Sequence, residues 1–282
     1  MYITKRMISP GAEEFMGMKF PMLDHGYIKL VDYLGCDNTV VAAARHSYDK
    51  GLDQDDTIGN EKLINFLMRS KHTSPFEQPA MVFEVKAPIM VFREWHRHRT
   101  GKLNEQSARY SQLAREFYVP ALDRVQVQST TNKQGSGASL SADQAQYFRE
   151  RLAESCNYGF DVYEEAIKAG IAKELCRLML PVNTYSTMVF QSDMSNWMNF
   201  LRLRSAPSAQ YEIRVYAEQI CKVMAEAFPV IWAAFEEFVL KSISLSGSEL
   251  ALLKVMIEDS EFVAAKDIER IWKKLGIVME PA

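Results

Sequence analysis

Several common signatures are missing from this 282-residue chain. Its four cysteines, Cys36, Cys156, Cys176 and Cys221, are widely spaced and form no C-x-x-C pair. That excludes a disulfide framework and a zinc ribbon, and leaves reduced thiols. There is no G-x-G-x-x-G and no P-loop, so a bound dinucleotide would not be held in Rossmann fashion. No apolar run approaches the length of a membrane span, since residues 81–92 and 228–235 are short or broken by charge. Lys5 and Arg6 are not followed by an apolar stretch before Pro10, so no secretory signal is expected. Charge of one sign is not in excess either: 33 basic residues against 36 acidic ones leave a net charge of −3. A surface that coats nucleic acid is thereby excluded, and any basic site must be local. The expectation is a cytoplasmic chain with neither a membrane nor a nucleic acid as partner.

No Pro/Gly/Ser-rich linker divides the middle of the chain, and 48% hydrophobic with 24% charged content is enough to bury one sizeable core. Residues 1–24 show no period and are expected to form an extension. A main domain is expected over 25–240. Its first strand is placed at 27–33, then a helix at 39–48 capped by Asn38 or Thr39, and another at 61–69 that ends in a polar stretch before Pro75. Residues 81–87 alternate, with Met81, Phe83, Val85 and Ala87 on one face, as a half-buried strand does. Pro88 suits the start of a helix that Gly101 would stop, and a polar segment follows at 104–111. Residues 128–142 are small and polar and read as a mobile loop. Helices are expected over 143–168, ending at Gly170, over 173–180, ending at Pro181, and over 196–204, capped by Ser195. A long amphipathic helix starting at Pro207 would turn Ile213, Tyr216, Ile220, Val223 and Met224 inward. Residues 241–282, with helical segments near 250–257 and 264–275, read as a helical appendage.

The densest chemistry lies at 93–110, R-E-W-H-R-H-R-T-G-K-L-N-E-Q-S-A-R-Y, where five positions are Lys or Arg and two of the five histidines sit. Crowded cations are costly unless something negative is bound, and Arg97 and Arg99 flanking His98 suit phosphate. The plainer reading is a solvated helix end offsetting the macrodipole. Three features weigh against it. Trp95 sits inside the run, Asn104, Glu105, Ser107 and Arg109 add donors and acceptors within six residues, and Arg177 and Arg204 lie in the apolar segments L-C-R-L-M-L-P and F-L-R-L-R-S. Taken singly, the last two suit buried salt bridges. Together with the first cluster they suggest one multi-arginine pocket for a multiply charged ligand. No elbow motif surrounds Ser107, which favours contact over covalent catalysis. His96 and His98 are two residues apart among arginines, so no metal site is expected.

The run Arg97 to Tyr110, in which R-H-R is followed after seven residues by Ser and then R-Y, resembles the signature of the flavin-dependent thymidylate synthases. H-T-S-P-F-E at 72–77, R-x-x-L-P at 177–181, M-N-F-L-x-L-R from Met198 and A-Q-x-E-I ending at Ile213 extend the resemblance over about residues 25–235. It implies an α+β fold, a single compact domain with a mixed or antiparallel sheet packed by long helices. It also implies a methyltransferase of dTMP biosynthesis that converts dUMP to dTMP with FAD as hydride carrier, NADPH as reductant and methylenetetrahydrofolate as carbon donor. A homotetramer with sites shared between subunits is implied too.

By the same resemblance Glu94, Trp95, His96, Arg97, Glu105, Gln106, Ser107, Ala108, Arg109, Arg177 and Arg204 would hold dUMP. Ser74, Arg97, His98, Arg99, Glu105, Asp193, Ser195 and Asn199 would hold FAD. Arg204 would lie against the uracil as the catalytic residue. A guanidinium cannot serve as a base, so its role would be a fixed cation that favours the ionised pyrimidine. The chain has no Pro-Cys-x-His motif, in keeping with a family that uses no cysteine nucleophile. Lys102 stands where the family commonly has Ser, Asp193-Met194-Ser195 where Asn-x-Arg is frequent, and Ser208 where His is common; these departures bear on the flavin contacts. The alternative readings are a flavin-dependent RNA uracil methyltransferase and a nucleotide- or RNA-binding module without activity.

Overall fold

The structure, a computed structural model, describes residues 6–50, 56–130, 133 and 135–258. In chain order its elements are α1 (Pro10–Phe15), β1 (Lys19–Met22), β2 (Gly26–Leu34), α2 (Asp37–His46), α3 (Thr57–Arg69), β3 (Ala80–Pro88), α4 (Ile89–Trp95), β4 (Lys102–Glu105), β5 (Gln126–Gln128) and β6 (Ser136–Ser139). After these come α5 (Ala142–Lys168), α6 (Lys173–Cys176), β7 (Tyr185–Asp193), α7 (Met194–Arg204), α8 (Tyr211–Ala227), α9 (Pro229–Phe235) and α10 (Gly247–Glu258). Five strands form one antiparallel sheet in the order β1-β2-β3-β7-β4. The architecture is α+β, as the sequence implied, with the sheet packed by helices.

The alternation along β3 is realised as read: Met81, Phe83, Val85 and Ala87 are buried. They meet Met188 and Phe190 of β7, Trp197 of α7, and the inward stripe of α8, where Ile213, Tyr216, Ile220, Val223 and Met224 are fully buried. Burying such side chains contributes about 1.5–3 kcal/mol each, so this single core dominates the energetics.

Several elements differ from the sequence reading. The N-terminal segment is no extension. β1 pairs with β2, Ala12 is fully buried, and Ser9 Oγ caps α1 by accepting from the Ala12 amide at 3.1 Å while donating to the Ala227 carbonyl. Gly11 is required there, because a Cβ would lie 2.0 Å from the Glu226 carbonyl oxygen. Cys36, not Asn38 or Thr39, is the N-cap of α2, and Thr39 Oγ1 accepts from the Cys36 amide at 2.9 Å. The helix after Pro88 ends at Trp95, well before Gly101; that glycine instead lets the chain pass the Phe190 ring, which a Cβ would meet at 2.0 Å. Part of the polar segment after it is the edge strand β4. Within 128–142, Ser136–Ser139 pairs with Gln126–Gln128 as a hairpin. Asp193, not Ser195, caps α7, and α8 begins at Tyr211 rather than Pro207.

The largest omission is β7, the strand between β3 and β4. Its inward residues are Ser186, Met188, Phe190 and Ser192, so serines interrupt the apolar half of the alternation and hide the period. The described residues 241–258 belong to a unit separate from the one that ends at Leu240. Within them, Ser246 and Glu249 form a reciprocal cap at the start of α10, the Glu249 amide donating to Ser246 Oγ at 3.3 Å and the Ser246 amide to Glu249 Oε2 at 2.7 Å. The second segment expected there, 264–275, lies outside the described residues.

One buried carboxylate ties the segment that carries Tyr118 and Arg124 to the start of α8. Glu212, only 4% exposed, accepts from Arg124 Nε at 3.0 Å, Gln210 Nε2 at 2.8 Å and Tyr118 Oη at 3.3 Å. Removing it strands Arg124 as a part-buried cation. Glu212→Ala is expected to lower stability by about 3 kcal/mol, read from urea unfolding. A loss below about 1 kcal/mol would show that the network contributes no more than an exposed pair.

Candidate functional site

The site is assembled by two helices that leave opposite ends of one strand pair. β3 and β7 match over nine residue pairs, from Ala80 opposite Asp193 to Pro88 opposite Tyr185. At Pro88 the chain turns into the 7-residue α4, and at Asp193 it turns into the 11-residue α7. Together the two helices rise about 27 Å, close to the roughly 30 Å spanned by the strands. Running toward each other over the sheet, they bring Glu94 and Arg204 into contact.

Arg204, with a side chain 17% exposed, is gripped on three sides. Its Nη1 donates to Glu94 Oε2 at 2.7 Å, its Nη2 to the Glu94 carbonyl at 3.0 Å, and its Nε to His98 Nε2 at 3.0 Å. A guanidinium has five N–H groups, so two remain for a ligand. His98 reaches this position through tight turns after α4, its amide donating to the Trp95 carbonyl at 3.0 Å and its carbonyl accepting from Gly101 at 3.3 Å. Its ring stands edge-on to Phe200, with centroids 4.7 Å apart. Burial, reinforced by the Arg204 charge and opposed by Glu94, pushes the His98 pKa down from 6.5 to about 4. The imidazole is therefore neutral at physiological pH and can accept.

The other expected residues divide into groups. His96 is stacked on Phe92 and lies 4.0 Å from Glu105 Oε2. Gln106 is held at the end of β4 by its amide, which donates to the Thr187 carbonyl at 2.8 Å, and by Thr187 Oγ1, which donates to its side chain at 3.3 Å. Ser107 turns the chain, its carbonyl accepting from the Tyr110 and Ser111 amides, and Ala108 is buried beneath that turn. Arg109 pairs with Glu174 at 3.1 Å in an exposed contact.

Arg97 and Arg99 are exposed and carry no ion pair among the described residues. Ser74 is exposed at the start of a 3₁₀ turn, and Asn199 is exposed on α7, where its Oδ1 accepts from Arg202 at 3.1 Å. Thr100 Oγ1 donates to Asn196 Oδ1 at 2.7 Å, tying the arginine-bearing turn to the first turn of α7, where Ser195 also lies.

Three expected residues have environments that the sequence did not suggest. Trp95 is fully buried against Phe190, Phe200 and Tyr216, so its indole is part of the core. Asp193 spends its oxygens on Asn196, at 2.9 Å to the amide and 2.7 Å to Nδ2, as a helix cap. Arg177 is exposed rather than buried in its apolar segment. The contacts that sequence reasoning missed, Thr100 with Asn196 and Thr187 with Gln106, depend on β7 and α7 lying beside the turn. Neither threonine stands in a motif that singles it out.

A compensated arginine beside exposed guanidiniums that have no ion pair among the described residues is an arrangement able to bind a phosphorylated group. Residues 29–230 match the family of the thymidylate synthase complementing protein. The flavin-dependent thymidylate synthase of Ehrlichia ruminantium (strain Gardel) is 43% identical over 98% of this chain and 93% of its own length. That of Ruegeria pomeroyi is 42% identical over 90% and 85%. A crystal structure of the UMP/dUMP methylase PolB from Streptomyces cacaoi bound with 5-Br dUMP is 34% identical, with a TM-score of 0.70 over 79% of this chain and 100% of that one. The chain belongs to the thymidylate synthase complementing protein family, and it is an enzyme. No described helix is long and apolar enough to cross a membrane.

Because the folded His98 pKa lies below its ordinary value, the neutral imidazole stabilises the fold above pH 6.5, and that contribution is lost as pH falls through about 4. An NMR titration should place the His98 midpoint near 4. In Arg204→Met the midpoint should rise yet stay below 6.5, because burial persists. A midpoint near 6.5 in the unaltered protein would refute the contact.

Proposed function

We propose that this chain methylates dUMP reductively to dTMP, taking the carbon from methylenetetrahydrofolate and reducing equivalents from NADPH through FAD, in the cytoplasm. The observation that carries this reading is Arg204 held between Glu94 and His98 in a chain 43% identical to a flavin-dependent thymidylate synthase over nearly its whole length. The unpaired guanidiniums of Arg97 and Arg99 fit the pyrophosphate of FAD, with Ser74, His98, Glu105, Ser195 and Asn199 as further contacts. Asp193 does not fit, because its carboxylate already caps α7 and would repel that pyrophosphate. Bound FAD supplies the hydride chemistry.

The protein's own share is binding, orientation and charge. Glu94, His96, Arg97, the run Glu105 to Arg109 and Arg177 hold dUMP, the cations taking its phosphate and Ser107 and Gln106 the polar edges. Arg204 stays protonated and offers two free N–H groups to the pyrimidine, stabilising negative charge there without moving a proton. Since one chain leaves Arg177 on the outside, the site is completed between subunits of a homotetramer. Support comes from the apolar side chains exposed around Arg177, with Leu178 at 73%, Leu175 at 54% and Met179 at 51%. A second reading, in which UMP is also accepted, is favoured by the likeness to a UMP/dUMP methylase.

Purified protein should show an oxidised flavin spectrum that NADPH bleaches; a colourless protein that binds nucleotide without turnover would leave only a binding module. Tritium release from 5-labelled dUMP tests the reaction, and labelled UMP in parallel tests the second reading. Arg204→Ala should keep the flavin spectrum and lose tritium release by about a hundredfold or more. Undiminished release from that variant would remove Arg204 from the chemistry.

A further inference from the structure

We propose that His98 is a positioning residue for Arg204, its Nε2 lone pair fixing the guanidinium plane independently of any contact His98 makes with the flavin. This rests on the role given to Arg204 above.

The geometry carries it. Glu94 alone supplies the acceptors for both Nη atoms, one from its carboxylate and one from its carbonyl. Acceptors from a single residue leave the fork free to tilt about the line joining them. His98 supplies the third point, at Nε and from a different segment, which removes that freedom. The imidazole is itself held: Phe200, one helical turn before Arg204 on α7, packs against its ring, and its backbone is pinned at both amide and carbonyl. With Nε2 accepting, the proton resides on Nδ1, which has no partner among the described residues and stays available to a ligand. The charged groups facing His98 are Arg204 from α7 and Glu94 from α4. A protonated ring would set two cations 3.0 Å apart, so only the neutral form can fill this role. Arg97 and Arg99, exposed on either side, are placed for phosphate and leave His98 as the member of the triplet turned toward α7.

The test compares His98→Gln with His98→Asn, two polar replacements of similar tolerance in a half-buried position. The glutamine amide oxygen can reach the position of Nε2, whereas the asparagine oxygen sits near that of Nδ1 and falls short of Arg204. Tritium release is measured at saturating FAD and dUMP, with flavin content read from the absorption spectrum. The expected result is a kcat for His98→Asn lowered about ten- to a hundredfold at full flavin occupancy, with His98→Gln restored to within about threefold of the parent. Equal kcat loss in both variants, or turnover by His98→Asn that recovers once FAD is saturating, would overturn the positioning role. Arg204→Ala serves as the separate control. If it turns over normally, the functional reading fails; if it is inactive while His98→Asn is not, the positioning role alone fails.

Discussion

A guanidinium that cannot lose its proton, placed where water reaches it only partly, must be compensated by the protein, and the site is organised around that requirement. Arg204 meets it with one carboxylate, one carbonyl and one neutral imidazole, drawn from α4 and the turn after it. Each partner contributes something different. Glu94 balances the charge, its carbonyl satisfies a second donor, and His98 accepts without adding a second cation. Once they are in place the arginine has a fixed direction and two unused donors, which is what electrostatic stabilisation of a ligand asks for.

The sheet exists in a form that makes this meeting happen. β7 is hydrogen-bonded on both sides, to β3 over nine pairs and to β4 over four. β3 delivers α4, β7 delivers α7, and β4 carries the segment that continues into Gln106 and Ser107. The aromatic cluster of Phe83, Trp95, Phe190, Trp197 and Phe200 fills the space under both helices, so the contact between their C-terminal ends rests on packed rings. Trp95 therefore belongs to the scaffold even though it stands between Glu94 and His96. Arg97, Arg99 and Arg177 are the opposite case: exposed cations with no ion pair among the described residues.

Much of this was readable before any coordinates. The strand at β3, the inward stripe of α8 and the long α5 follow from period alone, because each buries a regular set of large apolar residues. The cluster at 93–110 was legible from the cost of crowding cations. What escaped had physical causes. β7 was hidden because two of its four inward positions are serines. β1 and α1 were passed over because segments of four and six residues are too short to show a period. Trp95 and Asp193 stand beside candidate contact residues, yet successive side chains point in different directions, and one fills the core while the other caps a helix.

By itself the sequence determined which segments must be buried, which residues could carry positive charge to a ligand, and the family to which the chain belongs, since all three depend on local composition and spacing. Only the tertiary structure decided which arginine is held and which are free. That choice depends on distances between groups more than a hundred residues apart, such as Arg204 and His98, and those distances are set by strand register and helix length rather than by anything in either neighbourhood.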